Sequence, residues 1–168
     1  MIQVRPTRGT DIDRLEAVER SAATLFRTLP DLTWIADDRT AGPDVHRTAV
    51  AQGLSWVAVD TEDQPIGFLI AAEADADLHI LELSVSAEHQ GRGVGRALMA
   101  AARHAAEARA KQALTLTTFS TVPWNAPFYA RLGYAALTFA ETPAYLRETL
   151  AAEAAHGLTD RVAMRLTL

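Results

Sequence analysis

The spacing of apolar and polar residues along the chain predicts that a short strand comes first and a helix follows it. Residues 2–5 alternate between apolar and polar side chains, as a half-buried strand does, and Pro6 is expected to end that strand. From Asp11 onward the apolar residues recur at helical spacing instead, so we predict a first helix there with Thr10 as its N-cap. The apolar positions of this helix are Ile12, Leu15, Val18, Ala22 and Phe26.

The next part of the chain is less regular and then returns to strands. Residues 29–43 carry several prolines, glycines and aspartates that break any period, so we expect a loop with one short turn of helix. Asp44 is expected to cap a second helix that ends near Gln52. Residues 55–60 and 66–72 are two apolar strands joined by a polar turn, which predicts a hairpin.

The second half of the chain alternates strands with helices. An apolar strand begins at Leu78 and leads through a glycine-rich turn into a long alanine-rich helix, and the strand after that helix must run parallel to the strand before it. The remaining predicted elements are a strand over 113–119, a short helix ending at Gly133, a strand over 134–139, a helix over 144–156 and a strand over 161–166.

Length and composition indicate one globular domain, and the order of strands and helices along it is typical of the α/β class. A chain of 168 residues and 18.2 kDa has room for one sizeable core, since chains of this length bury about 70% of their unfolded surface. Apolar residues make up 49% and charged residues 22%, which is typical of folded proteins. We therefore expect residues 1–168 to form a single domain.

Charge and residue types exclude several classes of function. The net charge is −5 with no basic stripe, which argues against a nucleic-acid partner and favours a cationic acceptor. The absence of cysteine excludes disulfides and a thiolate nucleophile. The histidines do not form metal-binding pairs, so no metal is expected, and surface or capping roles are predicted for His46, His89, His104 and His156. No apolar leader or membrane-spanning run is present, so a cytoplasmic protein without a membrane partner is expected.

The glycine-rich turn is predicted to bind an anion. Gly91, Gly93 and Gly95 let the backbone approach a ligand closely, and the turn opens a helix, whose first N–H groups attract phosphate. The spacing fits neither a P-loop, since no Gly-Lys-Ser/Thr follows, nor the G-x-G-x-x-G of dinucleotide-binding proteins. The string from Gln90 to Gly95 reads Q-x-x-G-x-G.

That string resembles the acyl-CoA loop of the GNAT superfamily of N-acetyltransferases. A second segment, WNAPFYARLGY over 124–134, is similar to the other recognisable GNAT motif in a slightly compressed form, about 30 residues further on. The resemblance covers the whole chain in element order and residues 78–134 in detail. It implies a mixed sheet of six or seven strands, splayed between the fourth and fifth strands, with helices on both faces and acetyl-CoA as co-substrate.

The resemblance also implies which residues bind the coenzyme. The backbone of the fourth strand would hold the pantetheine arm, the glycine-rich loop would bind the pyrophosphate, and residues of the second motif would contact the coenzyme from the other wall. The residues implied are Leu83, Ser84, Val85, Gln90, Gly91, Arg92, Gly93, Val94, Gly95, Arg96, Asn125, Phe128 and Arg131.

Acetyl transfer to an amine requires a proton for the leaving thiolate and a base for the amine. Tyr129 matches the tyrosine that protonates the coenzyme sulfur in many GNAT proteins, and the alternative is that it only packs in the core. Glu82 is the leading candidate base, because a carboxylate on a strand built for burial is in the setting where carboxylates act as bases. His79 is its rival, and pairing or water binding is the alternative role for Glu82.

The sequence thus predicts an N-acetyltransferase that acts on a primary amine of a small molecule or a peptide, by direct transfer in a ternary complex. The alternatives are a non-catalytic acyl-CoA-binding sensor and a nucleotide enzyme with an unusual glycine loop. The strand over 113–119 lacks a carboxylate, a departure that counts against the ribosomal-protein N-terminal acetyltransferase subtype. The acceptor and the choice between monomer and homodimer are not predicted.

Overall fold

The computed structural model describes residues 2–168, and it contains seven strands and five α-helices. The strands are β1 Gln3–Pro6, β2 Ser55–Val59, β3 Pro65–Ala74, β4 Asp77–Val85, β5 Ala113–Phe119, β6 Ala135–Ala136 and β7 Arg161–Thr167. The helices are α1 Ile12–Ala23, α2 Pro43–Ala51, α3 Val94–Ala108, α4 Ala126–Arg131 and α5 Ala144–Ala155. Short 3-10 turns cover Gly9–Asp11, Thr24–Thr28, Pro30–Asp37 and Ala87–His89.

The strands form one mixed sheet in the order β1-β2-β3-β4-β5-β7-β6. The predicted mixed sheet of six or seven strands, flanked by helices, is therefore confirmed, with seven strands. β4 and β5 run parallel, as the intervening helix requires, and their register pairs Leu78 with Leu114 and His79 with Thr115. This pairing lies at the start of β4, whereas β5 pairs with β7 along its whole length, from Ala113 to Phe119.

Two compact units are distinguished within the chain. The first comprises the residues up to Ala72 together with Ile80–Ala105. Its core contains Leu15, Val18, Ala49, Val57, Val59, Phe68 and Ile70, from α1, α2 and the β2–β3 hairpin. The second unit comprises Glu73–His79 and Ala106–Leu168, and its most deeply buried large apolar side chains are Leu78, Leu114 and Leu146.

Helix α1 does not begin with the predicted cap. Thr10 lies within the 3-10 turn that precedes the helix, and Asp11 caps that turn by accepting a hydrogen bond of 2.7 Å from the backbone N–H of Arg8. The helix also ends at Ala23, so Phe26 belongs to the following 3-10 turn. The prediction of Thr10 was wrong because residues Gly9–Asp11 form a 3-10 turn, so the residue that immediately precedes the helix is Asp11.

Three further boundaries differ from prediction. Helix α2 begins at Pro43, whose fixed φ suits a first helical position, so Asp44 lies in the first turn and pairs with Arg47 at 2.8 Å. The predicted loop over 29–43 contains an eight-residue 3-10 segment. β6 covers two residues rather than the predicted 134–139, because only Ala135 and Ala136 register with β7.

Candidate active site

The glycine-rich loop has the backbone conformation that its glycines allow. Gly91 and Gly93 have φ values of 73° and 86°, in the left-handed region that residues with a Cβ rarely adopt. Helix α3 begins directly afterwards at Val94, and its first turn is closed by the hydrogen bond of 3.0 Å from Ala97 N–H to the Gly93 carbonyl. The loop thus presents the N-terminus of a fifteen-residue helix, where anions are stabilised.

Hydrogen bonds tie the start of this loop to the elements around it. The backbone N–H of Ser86 donates to the Ile66 carbonyl at 2.9 Å, and the N–H of Ala87 donates to the Ser21 hydroxyl of α1 at 3.0 Å. The Ser86 hydroxyl and His89 Nδ1 lie 2.7 Å apart, so the His89 ring binds the side chain of the residue that precedes the Ala87–His89 turn. These contacts fix the start of the loop to β3 and α1.

Gln90 binds the chain itself. Its side-chain amide donates a hydrogen bond of 2.9 Å to the backbone carbonyl of Val85, which closes the loop onto the last residue of β4. We therefore assign Gln90 a role in holding the loop. The carbonyl of Val85 is correspondingly engaged within the protein.

The backbone groups of β4 divide between the two edges of the strand. A Cβ built on Gly67 of β3 would lie 3.1 Å from the Ser84 carbonyl oxygen, so that carbonyl faces β3. Backbone groups of successive strand residues point in opposite directions, and those of Leu83 and Val85 therefore point to the other edge. Of the three residues predicted to hold the pantetheine arm, Ser84 is directed toward β3 instead.

Glu82 is half-buried on β4. Its carboxylate accepts a hydrogen bond of 3.0 Å from the hydroxyl of Ser84, two residues further along the same face of the strand. Ser84 itself is buried. The Ser84 hydroxyl thus occupies one of the accepting positions of the Glu82 carboxylate.

In the second unit, the predicted acid Tyr129 lies on α4 in a cluster of three aromatic rings. The ring of Tyr129 meets those of Phe128 and Tyr134 edge-on, with centroids 5.0 and 6.1 Å away. Asn125 precedes the helix, and its carbonyl accepts a hydrogen bond from the N–H of Tyr129 at 3.2 Å. Arg131 is exposed on the last turn of the helix.

His79 lies at the end of a buried chain of polar side chains, all within the second unit. Its Nδ1 is 3.0 Å from the Thr115 hydroxyl of β5, which is 2.8 Å from the Tyr145 hydroxyl of α5. The Tyr145 hydroxyl donates to Asp77 Oδ2 at 3.0 Å, and Arg165 of β7 pairs with the same oxygen at 3.0 Å. His79, Asp77 and Thr115 are at most 7% exposed.

Burial changes the acidity of two members of this chain. It lowers the pKa of His79, and the carboxylates of Glu153 and Asp77 oppose that effect only in part. Burial also raises the pKa of Tyr145 to about 12, with Thr115 opposing the rise and Asp77 adding to it. Tyr145 therefore keeps its proton at neutral pH, and His79 is predominantly neutral there.

The sequence prediction did not include Asp77, Thr115 and Tyr145. Three signals were available, and the first two are a threonine at a fully buried position of β5 and an aspartate that opens a buried strand. A lone tyrosine among the alanines of α5 was a third. Contact among these three side chains depends on the strand register and on the position of α5. The local sequence pattern determines neither of them.

His46 is buried rather than at the surface or at a cap. Its ring packs edge-on against Phe68 with centroids 4.9 Å apart, its Nδ1 has no hydrogen-bond partner among residues 2–168, and burial lowers its pKa. His104 is exposed as predicted. Within residues 2–168, no three His, Asp or Glu side chains are grouped in a way that could hold a metal ion.

An open cleft of about 260 Å³ lies in the first unit, beside α2. Its floor is apolar, and its lining residues are Asp44, Val45, Thr48, Ala49, Gln52, Ala71, Ala72 and Leu81. Val45 and Leu81 are among the few large apolar side chains that are exposed. Over residues 2–168, none of the helices has the length and apolar character required to cross a membrane.

The chain belongs to the GNAT family of acetyltransferases. A family profile described as acetyltransferase (GNAT) domain matches residues 51–136, just over half of the 168 residues. The match extends from the end of α2 through the glycine-rich loop to β6, and so contains both motifs.

Solved structures share the fold over the whole chain. PaiA N-acetyltransferase from Thermoplasma acidophilum, in complex with coenzyme A, is similar over 100% of this chain and 99% of its own, with 14% identity and a TM-score of 0.73. N-acetylglutamate synthase from Neisseria gonorrhoeae, complexed with coenzyme A and N-acetyl-glutamate, has 16% identity and a TM-score of 0.73, over 100% of this chain and 35% of its own. Ard1 from Thermoplasma volcanium has 18% identity and a TM-score of 0.68, over 99% of this chain and 97% of its own.

Proposed function

We propose that this chain is an N-acetyltransferase that acts as one domain and transfers the acetyl group of acetyl-CoA directly to a primary amine. The observation that carries the proposal is the glycine-rich loop, with φ values of 73° at Gly91 and 86° at Gly93 and a long helix starting at Val94. Structures of PaiA and of N-acetylglutamate synthase were both obtained with coenzyme A, which supports the choice of coenzyme.

The residues of the first unit fit a coenzyme with a diphosphate. A Cβ built on Gly91 would meet no atom within 4 Å, so the space beside this backbone is open. The N–H groups of the first turn of α3 suit the diphosphate, and the exposed guanidinium groups of Arg92 and Arg96 add positive charge to the same loop. Leu83 and the N–H of Val85 would bind the pantetheine arm. Asn125, Phe128 and Arg131, which belong to the second motif, are proposed as further coenzyme-binding residues.

The chemistry requires an acid and a base at the reacting atoms. Acetyl-CoA supplies the acetyl group as a thioester. Tyr129 is proposed to give its proton to the leaving sulfur, whose pKa of about 8.5 is close enough to the phenol value of about 10 for that transfer. The base that accepts the proton of the attacking amine is proposed to be Glu82 or His79. Since the chain contains no cysteine, a direct transfer rather than an acetyl-cysteine intermediate is proposed.

The cleft beside α2 is proposed to bind the apolar part of the acceptor. It adjoins Leu81, on the same face of β4 as Leu83. The volume of about 260 Å³ suits a small amine or a single side chain of a peptide.

Val45→Asp tests this use of the cleft, because it places a charge on the apolar lining. The variant should raise the KM for an acceptor with an apolar group about tenfold while leaving the KM for acetyl-CoA unchanged.

Release of free thiol from acetyl-CoA in the presence of a panel of amines tests the proposal. We expect release above background with at least one amine, and mass spectrometry should find that amine 42 Da heavier, the mass of one added acetyl group. A sensor would be stabilised against unfolding by acetyl-CoA and would release no thiol. A nucleotide enzyme would be stabilised by ATP or NAD and not by coenzyme A.

A pair of glycine variants tests the loop. Gly91→Val forces a β-branched residue into the left-handed region and should weaken coenzyme A binding about tenfold or more. Gly9→Val is the control, because a Cβ there meets no atom within 4 Å and the position lies outside the loop. Equal affinity in the two variants would argue against the loop as the binding site.

A further inference from the structure

In the chain of polar side chains that ends at His79, the donor and the acceptor of each hydrogen bond can be assigned by counting the available protons. The Asp77 carboxylate contacts Arg165 at 3.0 Å, and a carboxylate can only accept hydrogen bonds. The single proton of the Tyr145 hydroxyl is donated to this carboxylate at 3.0 Å. The Tyr145 oxygen can then only accept from Thr115.

The same count continues to the histidine. The Thr115 hydroxyl also has one proton, and the Tyr145 oxygen at 2.8 Å takes it. The Thr115 oxygen can therefore meet His79 Nδ1, 3.0 Å away, only as an acceptor. His79 must then carry its proton on Nδ1, which leaves the lone pair of the neutral ring on Nε2.

We infer that Asp77, Tyr145 and Thr115 form a relay that holds His79 in the Nδ1–H tautomer and so makes Nε2 the general base for the acceptor amine. The inference rests on the proposed function and chooses between its two candidate bases. His79 would be the catalytic residue, and Thr115, Tyr145 and Asp77 are positioning residues that act through it. In the logic of a catalytic triad, a carboxylate orients an imidazole, and here two hydroxyl groups stand between them.

The surroundings of the relay support this assignment. His79 is 7% exposed and its ring meets that of Tyr145 edge-on at 5.9 Å, so the ring cannot turn freely. The charged groups that face the relay are Asp77 on β4, Glu153 on α5, and Arg161 and Arg165 on β7. Arg161 is held by Glu153 at 3.1 Å, and each carboxylate thus has its own arginine. The imidazole of His79 is therefore the neutral group among these two carboxylates and two guanidinium groups.

The tautomer of His79 can be measured without any enzymatic assay. Long-range ¹H–¹⁵N spectra of the full chain with labelled histidine distinguish a protonated ring nitrogen from one with a lone pair. The His79 signals are assigned by their loss in His79→Gln. At a pH where the ring is neutral, we expect Nδ1 to be protonated and Nε2 to carry the lone pair. A wild-type ring protonated on Nε2 would overturn the inference.

Variants of the relay should move the proton. In Tyr145→Phe the Thr115 hydroxyl loses its acceptor and can donate to Nδ1, so the ring should change to the Nε2–H tautomer. Thr115→Val removes the acceptor of Nδ1 and should shift the ring the same way. Thr118→Val is the matched control, because Thr118 is also buried on β5 but lies on the opposite face from Thr115, and it should leave the tautomer unchanged. An unchanged tautomer in Tyr145→Phe and Thr115→Val would contradict the relay.

The kinetic arm uses the same variants. Tyr145→Phe should lower kcat about ten- to a hundredfold with the KM for acetyl-CoA unchanged, and Thr118→Val should leave both unchanged. If no amine is acetylated, the proposed function fails while the wild-type spectrum still decides the tautomer. If amines are acetylated but the wild-type ring is protonated on Nε2, or Tyr145→Phe retains full kcat, only the relay is refuted. Should Tyr145→Phe not fold, the wild-type spectrum and Thr115→Val carry the test.

Discussion

At the scale of single residues, the ion pairs around Arg5 join the start of the chain to the β2–β3 turn. Arg5 binds both oxygens of Asp11 at 2.8 and 3.0 Å, and it also binds Asp63 at 2.8 Å. The side chains of Arg5 and Asp11 are 11% and 8% exposed. Burial on its own raises the pKa of Asp11, but the hydrogen bonds from Arg5 and Arg8 lower it further, to below its usual value.

Asp11→Asn should therefore destabilise the protein. The variant leaves the buried guanidinium without its bidentate partner, and we expect a loss of about 2 kcal/mol in the free energy of unfolding. Because the folded pKa of Asp11 is depressed, its contribution is complete above the unfolded value of about 3.9 and is lost as the pH falls below it. Urea unfolding at pH 7 measures the loss, with Asp13→Asn, at an exposed position of α1, as the control. Equal stability of the two variants would refute the prediction.

Tyr129 gives a prediction about the reaction itself. Tyr129→Phe should lower kcat about a hundredfold and leave the affinity for acetyl-CoA nearly unchanged, because it removes the proton donor and keeps the ring contacts at 5.0 and 6.1 Å. Tyr134→Phe, which removes the hydroxyl of the neighbouring ring, is the matched control and should keep its kcat. A Tyr129→Phe enzyme with normal kcat would mean that Tyr129 only packs.

The candidate bases are separated by a second pair of variants. If His79 is the base, His79→Gln should abolish the acidic limb of the pH–rate profile, and Glu82→Gln should preserve it. The hydrogen bond from Ser84 to Glu82, at 3.0 Å, gives Glu82→Gln a structural cost as well, so kcat and the pH profile must both be recorded. The opposite pattern would assign the base to Glu82.

At this scale the sequence indicated residue types better than contacts. Gln90 was identified through its motif, yet its amide binds the Val85 carbonyl, a partner that depends on how the loop folds back. Glu82 was noticed as a lone carboxylate, but the hydroxyl that binds it could not be selected among the neighbouring polar residues. The relay to His79 joins positions 36 and 30 residues apart in the chain, beyond the reach of any local pattern.

At the scale of elements, helix α3 lies close to the sheet because β3 has a glycine beneath it. A Cβ built on Gly67 would lie 3.1 Å from the Ser84 carbonyl oxygen and 3.1 Å from Val94 Cγ1, with Leu98 Cδ1 at 3.3 Å. Val94 and Leu98 are 2% and 0% exposed. The glycine therefore sets the distance between the first turn of α3 and the sheet, and with it the position of the loop.

Gly67→Ala should consequently be felt at the coenzyme site. The Ser84 carbonyl belongs to the sheet and cannot give way easily, so we expect a loss of about 1–3 kcal/mol in stability from overpacking. Displacement of the first turn of α3 should weaken coenzyme A binding as well. Thermal unfolding and calorimetric titration measure the two effects. Gly9→Ala, where the added Cβ meets no atom within 4 Å, should change neither, and a Gly67→Ala variant with normal affinity would refute the coupling.

The order and type of the elements followed from apolar periodicity, and their ends did not. Helix α2 begins at Pro43 rather than being capped by Asp44, because the fixed φ of proline starts the helix two residues earlier. β6 is short because its length is set by pairing with β7 and not by its own β-branched or aromatic residues. Boundaries depend on partners, whereas periodicity depends on the segment alone.

At the scale of the whole molecule, buried histidines make stability depend on pH. Burial lowers the pKa of both His46 and His79, so the unfolded chain binds protons that the folded chain does not. The contribution of the two histidines to the free energy of unfolding is complete above about 6.5, the pKa of histidine in the unfolded chain. It is lost as the pH falls below that value. Glu19 works in the opposite direction, since burial raises its pKa against the hydrogen bond from Ala41.

The contribution of His46 to the pH dependence of stability can be measured by substituting it. Between pH 7.5 and 5.5, His46→Gln should show a smaller fall in the free energy of unfolding than the wild type, by at most about 1.4 kcal/mol per pH unit. His104→Gln, at an exposed position, should follow the wild type. Unfolding by urea at several pH values gives the slopes, and parallel curves for His46→Gln and the wild type would contradict the prediction.

The two ends of the sheet order have a consequence for association. One outermost strand, β6, offers only Ala135 and Ala136, and the other, β1, is four residues long and finishes in Pro6, which has no N–H to donate. Another chain that paired with β6 could form hydrogen bonds with only two residues. If it paired with β1, the ladder of backbone hydrogen bonds would be interrupted at Pro6. Fibril growth by strand addition is therefore discouraged at both margins, and the protein should remain dispersed at concentrations where longer free strands would assemble.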